Sequence, residues 1–215
     1  MVSYLSSPAP CRNRRLGTDE KRKINMSNYR PICDMWFLAR AKLKNGEKYY
    51  GSYLGGFVER ARVLIGANIN SPVLHVCGGK AKLYPYSRAF GPNDKTLDLD
   101  PECKPDFLQD ARKPFPLALG DYNEKTNTHL WAGVLMDPPY SPEDAEHYKV
   151  GKEVYPTPNQ LVVNALEVLP IGGKVGIIHY ILPRCPKNAK FVACVGIVCG
   201  FNNRIRCFSL FERLE

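Results

Sequence analysis

Four consecutive residues, Asp137-Pro138-Pro139-Tyr140, place a carboxylate, two prolines and a phenol side by side. They directly follow an apolar run that predicts a buried strand, and ligands of open α/β sheets bind beyond such strand ends. The two prolines fix the backbone and remove two N–H donors. The result is a stiff turn that displays carbonyl oxygens and one carboxylate, which favours a substrate that brings N–H donors.

An exocyclic amino group of a nucleobase matches this requirement. Its lone pair is delocalised into the ring, so the nitrogen is a poor nucleophile. If the Asp137 carboxylate and the Pro138 carbonyl each accept one of its hydrogens, the lone pair is localised and the nitrogen can attack an electrophilic methyl group. Tyr140 would stack the base, a contact worth roughly 1–3 kcal/mol.

DPPY at a strand end resembles the catalytic motif of the S-adenosylmethionine-dependent amino-methyltransferases. Within that family, it is more similar to the motif of the DNA adenine-N6 enzymes than to that of the cytosine-N4 enzymes, which more often carry SPPY. The resemblance covers about residues 49–215. It implies that Asp137 orients the amino group, that Pro138 accepts its second proton, and that Pro139 completes the motif. Tyr140 would stack a base extruded from the duplex. S-adenosylmethionine is the implied cofactor, and no metal is needed.

The segment VLHVCGG (73–79) resembles the family's first strand and cofactor loop. Cys77, Gly78 and Gly79 are therefore candidate cofactor-binding residues, and the two glycines would let the backbone approach the methionine part of the cofactor. The family's usual acidic residue is absent from this loop, and His75 or Cys77 occupies its region. For His75 we favour a core histidine with satisfied hydrogen bonds.

Three further segments resemble cofactor-binding parts of the family. In TLDLDP, Asp98 would bind the ribose hydroxyls, with Asp100 as the alternative. In DFLQDARKPF, Asp110 would accept from the adenine amino group of the cofactor. In YYGSY, Gly51 and Ser52 would close over the methionine part, although a plain loop before a helix explains them equally well.

The polar segment 141–158 mixes charged and aromatic residues as nucleic-acid contacts do. We interpret it as a small target loop in which Tyr148, Lys149 and Lys152 contact nucleic acid. A lid over the cofactor or a solvated connection is the alternative. Because no stretch is long enough for a separate target-recognition domain, the enzyme would read a short site, act on single strands, or depend on a partner subunit or homodimer.

Helical and strand patterns alternate along the chain, which predicts a parallel sheet with helices on both faces. With the family resemblance, the expected fold is α/β: a class I methyltransferase (Rossmann-like) three-layer sandwich with a mostly parallel seven-stranded sheet that ends in an antiparallel hairpin. Residues 33–44 fit a strand or a helix. The predicted helices are 57–66 and 159–170, and the predicted strands are 73–79, 96–101, 129–140, 173–183, 191–200 and 205–214. Residues 106–116 fit a short strand or a loop followed by a turn.

Composition restricts the class of protein and its partners. The chain has 215 residues, 44% of them hydrophobic, and a net charge of +9. This content excludes disorder throughout, and no apolar run reaches the ~18 residues of a membrane-spanning helix. The positive charge favours nucleic acid as partner, DNA first and RNA second, although a merely solvated basic surface is the alternative.

Residues 1–30 show no apolar period, so we expect a mobile basic tail followed by one domain over 31–215. The eight cysteines include no C-x-x-C pair, which argues against a structural zinc site and for a reducing, cytoplasmic compartment.

Three functions are consistent with the sequence. They are DNA adenine-N6 methylation, methylation of RNA or of a protein amide on the same fold, and an inactive nucleic-acid-binding regulatory subunit.

Overall fold

Among the residues singled out above, Cys77, Gly79, Asp98, Asp110 and Asp137 meet at one edge of an eight-stranded sheet. The computed structural model describes residues 30–39, 53–83, 89–117, 131–148, 153, 155–199 and 204–215. Among the sequence predictions, Gly51, Ser52, Lys149, Lys152 and residues 1–29 lie outside the described residues. The chain from Pro31 to Glu215 forms one compact unit.

The elements alternate only in part as predicted, because no α-helix separates β2, β3, β4 and β5 among the residues that the structure describes. The strands are β1 (Ile32–Leu38), β2 (Val73–Val76), β3 (Lys95–Asp98), β4 (Phe107–Leu108), β5 (Gly133–Met136), β6 (Lys174–His179), β7 (Ala189–Cys199) and β8 (Ile205–Arg213). The helices are α1 (Phe57–Ile65), α2 (Pro142–His147) and α3 (Pro158–Glu167). None of these described helices has the length and apolar character that crossing a membrane requires.

The sheet order is β1-β7-β8-β6-β5-β2-β3-β4. Strand β8 runs antiparallel to β6 and β7, and all other neighbours are parallel. This is the predicted mostly parallel sheet with a closing antiparallel hairpin, and it has one strand more than the seven expected. The addition is β1, which pairs with β7 and resolves the ambiguous segment: Trp36 and Leu38 are buried while Phe37 between them is exposed, the alternation of a strand.

Both faces of the sheet are covered, so the core has two halves. All four residues of β2 and all four of β5 are buried, which explains why these strands are continuous apolar runs. Helix α1 buries Phe57 and Ile65 on one face. Helix α3 buries Leu161 and Leu166 on the other face. The two helices and the sheet form the three predicted layers.

Helix α2 corrects the expectation of a loop immediately after DPPY. The Ser141 hydroxyl accepts a hydrogen bond from the Asp144 backbone N–H at 3.1 Å and caps the helix. Pro142 occupies the first helical position, where its missing N–H costs nothing. Glu143 and Asp144 add negative charge to the first turn, which favours the helix N-terminus. This start signal was readable in the sequence.

A buried polar cluster fixes the start of β2. The Asp94 carboxylate accepts from Arg62 Nη1 at 2.7 Å and from the backbone N–H groups of Gly91 at 2.7 Å and Val73 at 3.1 Å. His75 lies 3.4 Å from the same carboxylate through Nε2. Burial raises the pKa of Asp94, but hydrogen bonds and charge from His75 and Arg62 outweigh it and hold that pKa below its usual value. His75 is the satisfied core histidine that we expected.

We expect Asp94→Ala to lower the free energy of unfolding by about 3–5 kcal/mol, because it leaves the buried Arg62 charge without its partner. Urea unfolding followed by circular dichroism measures the loss. The matched control is Glu167→Ala, an exposed acidic position that should change stability by no more than about 0.5 kcal/mol. A loss below about 1 kcal/mol for Asp94→Ala would contradict this role.

Candidate functional site

A cleft opens at the carboxyl ends of β2, β3, β4 and β5. Residues from five segments form its wall, and the 141–158 segment contributes Ala145, Tyr148 and Pro156. The sequence-predicted residues that line it are Cys77, Gly79, Asp98, Asp110, Asp137, Pro139 and Tyr148. The structure therefore brings together residues that are up to 71 positions apart in the chain, since Tyr148 and Cys77 share one wall.

The loop after β2 has an unusual backbone. Cys77 and Gly79 both have φ of 52°, in the left-handed region that favours glycine. A Cβ placed on Gly78 would lie 3.3 Å from the His75 Cβ, so this residue packs tightly behind the loop. Cys77 is strained for a residue with a side chain, and such strain is concentrated at functional sites.

The Cys77 thiol does not replace the acid that this loop lacks. Burial raises its pKa well above the usual value, and the nearby carboxylates of Asp98, Asp137 and Asp110 raise it further. The thiol therefore stays uncharged at neutral pH. Any positive group of a ligand in this cleft must find its counter-charge on the aspartates instead.

Asp98 holds the cofactor-loop backbone in place. Its Oδ2 accepts from the Gly79 N–H at 2.9 Å, and its Oδ1 accepts from the Asp100 N–H at 3.0 Å. Burial raises its pKa, and these backbone bonds oppose the rise. Each carboxylate oxygen keeps a further lone pair for a ligand. Asp100 instead caps the next turn by accepting from the Glu102 N–H at 2.9 Å, so Asp98 is the better of the two ligand-binding candidates.

Asp110 is already paired within the chain. Arg112 Nε lies 3.1 Å from Asp110 Oδ1 and 3.0 Å from Oδ2, and its Nη2 donates to Oδ2 at 2.6 Å. This pairing lowers the pKa of Asp110. Arg112 also donates to the Glu153 carbonyl at 2.6 Å, which ties the loop after β4 to the segment that follows α2.

Four carboxylates line the cleft although the whole chain carries a net charge of +9. They are Asp98, Asp100, Asp110 and Asp137. This local excess of negative charge suits a cationic ligand. Within the described residues, no group of three or more histidine, cysteine, aspartate and glutamate side chains has the arrangement of a metal site.

Asp137 lies where the cleft meets the turn formed by Asp137, Pro138, Pro139 and Tyr140, which we call the proline corner. Its Oδ1 accepts a hydrogen bond from the Tyr140 hydroxyl at 2.7 Å, and its Oδ2 has no hydrogen-bond partner among the residues that the structure describes. Burial raises the pKa of Asp137 to about 6, against the opposing effects of the Arg206 charge and the Tyr140 hydrogen bond. The carboxylate is therefore mainly ionised at pH 7 with one oxygen available.

The ring of Tyr140 is enclosed by side chains from the ends of β6 and β8. The Arg206 guanidinium lies 5.2 Å from its centroid, the Tyr180 ring 4.5 Å and the His179 ring 5.5 Å. The Tyr155 hydroxyl donates to the Tyr140 carbonyl at 3.4 Å and lies 3.3 Å from His179 Nε2. These contacts hold the corner from three sides.

His179 is neutral in this arrangement. Burial lowers its pKa to about 4, against an opposing hydrogen bond to the Pro139 backbone. Its Nδ1 accepts from the Ile181 N–H at 2.9 Å, which places the proton on Nε2. His179 therefore packs against Tyr140 without adding a charge beside Asp137.

A second, more open groove begins next to Tyr140. Its lining is Ser141, Asp144, Tyr180, Arg204 and Ile205. The Arg204 guanidinium lies 5.9 Å from the Tyr180 ring centroid, and Tyr180 and Ile205 are exposed. A surface of this kind, with a cation beside exposed aromatic and apolar groups, suits a nucleobase and its phosphate.

Sequence reasoning missed Arg206, His179, Tyr180 and Tyr155. The one available signal was Arg206, a charged residue inside an otherwise apolar strand pattern, IRCFSLF. Tyr155 lies in a segment already suspected of function. For His179 and Tyr180 the sequence offers no signal, since they follow an ordinary buried strand.

No protein-family model matches the sequence, and no curated protein matches it. Among solved structures, TrmN from Thermus thermophilus is similar with a TM-score of 0.53 and 19% identity, over 76% of this chain and 50% of that chain. An rRNA methylase from Streptococcus thermophilus has a TM-score of 0.41 and 9% identity, over 69% of this chain and 89% of its own. A Streptococcus mutans protein in complex with SAH has a TM-score of 0.43 and 12% identity, over 73% and 97%.

The likeness to TrmN, together with the strand order, shows the fold. The chain has the predicted class I methyltransferase (Rossmann-like) fold, with one additional strand. It spans half the length of TrmN.

We expect Asp137→Asn to raise the free energy of unfolding near pH 8 by about 1–3 kcal/mol. The pKa of Asp137 is higher in the folded chain, about 6, than in an unfolded chain, so ionisation above that pH destabilises the fold. The gain should shrink as the pH falls below about 6 and disappear near pH 3, where the carboxyl is mainly protonated in both states. Urea unfolding at the two pH values measures it.

The matched control is Asp110→Asn, which should act in the opposite direction. The pKa of Asp110 is lowered by Arg112, so its ionised form stabilises the fold at neutral pH and that contribution is lost as the pH falls through the folded-state pKa. Equal effects of the two substitutions at pH 8 would contradict the assignment of their environments.

Proposed function

We propose that the chain transfers a methyl group from S-adenosylmethionine to the exocyclic amino group of a nucleobase, with adenine N6 in DNA as the favoured acceptor. One observation carries the proposal: Asp137 lines an acidic cleft, and its hydrogen-bond partner Tyr140 adjoins an open groove that contains Tyr180 and Arg204. The first suits a cationic cofactor and the second a nucleic acid.

The cleft residues fit the cofactor in charge. S-adenosylmethionine, when bound, supplies a methyl group activated by a positively charged sulfur, and it also carries an ammonium group. The four aspartates of the cleft would balance these charges. Asp98 would accept from the ribose hydroxyls with its remaining lone pairs, and the left-handed Gly79 would allow close backbone approach.

Asp110 fits its proposed role less directly, because Arg112 occupies both of its oxygens. It would contact the adenine amino group only through a remaining lone pair.

Tyr148 lines the same cleft, which supports the lid interpretation of the 141–158 segment over nucleic-acid contact for this residue. The roles proposed for Gly51, Ser52, Lys149 and Lys152 rest on the sequence alone.

The proline corner would activate the acceptor by hydrogen bonding. Asp137 Oδ2 and the Pro138 carbonyl would each accept one amino hydrogen, and this interaction strengthens as positive charge develops on the nitrogen. Because the folded-state pKa is about 6, most Asp137 is ionised and able to accept at pH 7. Arg206 and Tyr180 cover the Tyr140 ring, so an entering base would displace one of them to stack there.

Enzymes with similar proline-containing loops act on DNA, on structured RNA or on a protein amide. A methyl-transfer assay distinguishes these three possible acceptors. Transfer of labelled methyl is measured into duplex DNA, single-stranded DNA, ribosomal RNA and a glutamine-containing peptide. Label in DNA, with N6-methyladenine after hydrolysis, is expected. Label in RNA alone would overturn the DNA assignment while keeping the reaction class.

We expect Asp137→Ala to reduce methyl transfer at least about a hundredfold, because the acceptor nitrogen loses its main hydrogen-bond acceptor. The dissociation constant for S-adenosylmethionine, measured by calorimetry, should change little. The exposed Glu167→Ala variant is the control for both measurements. A normal transfer rate in Asp137→Ala would refute the mechanism.

We expect Asp98→Ala to weaken S-adenosylmethionine binding by roughly ten- to a hundredfold, the loss of one or two hydrogen bonds to a charged group. Calorimetry is again the measurement, with the wild type and Glu167→Ala titrated alongside. Absence of binding to the wild type at millimolar cofactor would instead favour an inactive nucleic-acid-binding subunit.

A further inference from the structure

Arg206 is a partly buried cation that the proposed reaction does not by itself require. It lies near the start of β8, and β8 pairs with β6 so that His179 is opposite Cys207. This register brings Arg206 beside the end of β6 and over the proline corner. Its Nε is buried and has no hydrogen-bond partner among the described residues. A strand interior normally excludes such a group, so its retention calls for a reason.

The guanidinium makes its main contacts with the site. It lies 5.2 Å from the Tyr140 ring centroid, within range of a cation–π interaction. Tyr140 in turn donates to Asp137 Oδ1 at 2.7 Å. The chain of contacts therefore runs from Arg206 through the Tyr140 ring to one oxygen of Asp137, and it leaves the other oxygen for a substrate.

We propose that Arg206 is a positioning residue that holds Tyr140 against Asp137 and keeps the Asp137 carboxylate ionised for the acceptor amino group. This inference rests on the proposed methyl transfer for its catalytic consequence. Its structural part, the control of Asp137 by Arg206, can be measured without turnover.

The charged and titratable groups around Asp137 support this role. On its own turn, Tyr140 donates a hydrogen bond to it. From the loop after β2, Cys77 faces it as an uncharged thiol, and Asp98 and Asp110 lie in the same cleft as anions. From β6, His179 contacts Tyr140 in its neutral form.

Arg206, from β8, is the one positive charge among the described residues that acts to lower the pKa of Asp137. Burial opposes the charge on Arg206, but the acidic groups of Tyr140 and Asp137, together with a hydrogen bond to Tyr180, outweigh it and raise the pKa of Arg206 above its usual value. The guanidinium thus remains charged throughout the accessible pH range. It is suited to hold a neighbouring carboxylate ionised at neutral pH.

Removing this charge should raise the pKa of Asp137 by about one to two units. Because the ionised form accepts the amino hydrogens, the acidic limb of the transfer-rate profile would move to higher pH by the same amount. Transfer by Arg206→Met would then fall roughly two- to tenfold at pH 7 and recover toward pH 9. A residue with a merely structural role would lower the rate equally at all pH values.

The test combines carbon-13 NMR titration of the Asp137 carboxyl with the pH profile of single-turnover transfer. Wild type, Arg206→Met and Arg206→Lys are compared, and the lysine variant should keep most of the low pKa because it keeps the charge. The control is Arg60→Met. Arg60 lies on α1, outside the site, and its guanidinium is 5.6 Å from the centroid of the Trp36 ring. This variant should leave both titration and profile unchanged.

An unchanged Asp137 pKa in folded Arg206→Met would overturn the positioning role. Should that variant not fold, Arg206→Gln, which also removes the charge, takes its place, and an unchanged Asp137 pKa there would overturn the role equally. A wild type that transfers no methyl group to any acceptor would refute the proposed function. In that case a shifted NMR titration would still support the action of Arg206 on Asp137, so the two failures are distinguishable.

Discussion

Parallel pairing of β2, β3, β4 and β5 is the constraint on which the candidate site depends. In a parallel sheet the carboxyl ends of neighbouring strands lie at one edge, and here backbone hydrogen bonds extend the pairing past the strand ends. The Cys77 N–H donates to the Leu97 carbonyl at 2.8 Å, and the Asp137 N–H to the Val76 carbonyl at 3.3 Å. The cleft residues are therefore held by the same ladder that holds the sheet.

The amino and carboxyl ends of β2 have separate tasks. At its amino end, the Asp94 carboxylate joins Val73, Gly91 and Arg62 in a buried cluster whose hydrogen bonds are made within the chain. At its carboxyl end, Cys77 adopts a left-handed backbone and Asp98 holds the Gly79 N–H. Stability is concentrated at the first end, and a ligand would complete the second.

Charge is unevenly distributed around Asp137. Asp98, Asp100 and Asp110 line the cleft with Asp137, and Arg112 pairs with Asp110. Arg206 lies over Tyr140, and the groove beside it contains both Arg204 and Asp144. A net charge of +9 gives no indication of this arrangement, because the acidic cleft is a small part of the surface.

Local patterns in the sequence determined most of the elements. The apolar runs of β2 and β5 follow from burial on both faces, and DPPY lies at a strand end because two prolines cannot continue a ladder. His75 was correctly predicted as a core residue. The start of α2 at Ser141 was equally local, and a cap signal was overlooked there.

Contacts between distant segments depended on the tertiary structure. Within the ambiguous 33–44 segment, the described residues up to Leu38 form a strand that pairs in parallel with β7. Arg206 meets Tyr140 because the antiparallel register of β6 and β8 aligns His179 with Cys207. Pairing register depends on packing across the whole sheet, and residues that follow ordinary apolar strands carry no local mark of what they will face. The DPPY motif could be recognised in the sequence, whereas the side chains that surround it depend on how the strands pair.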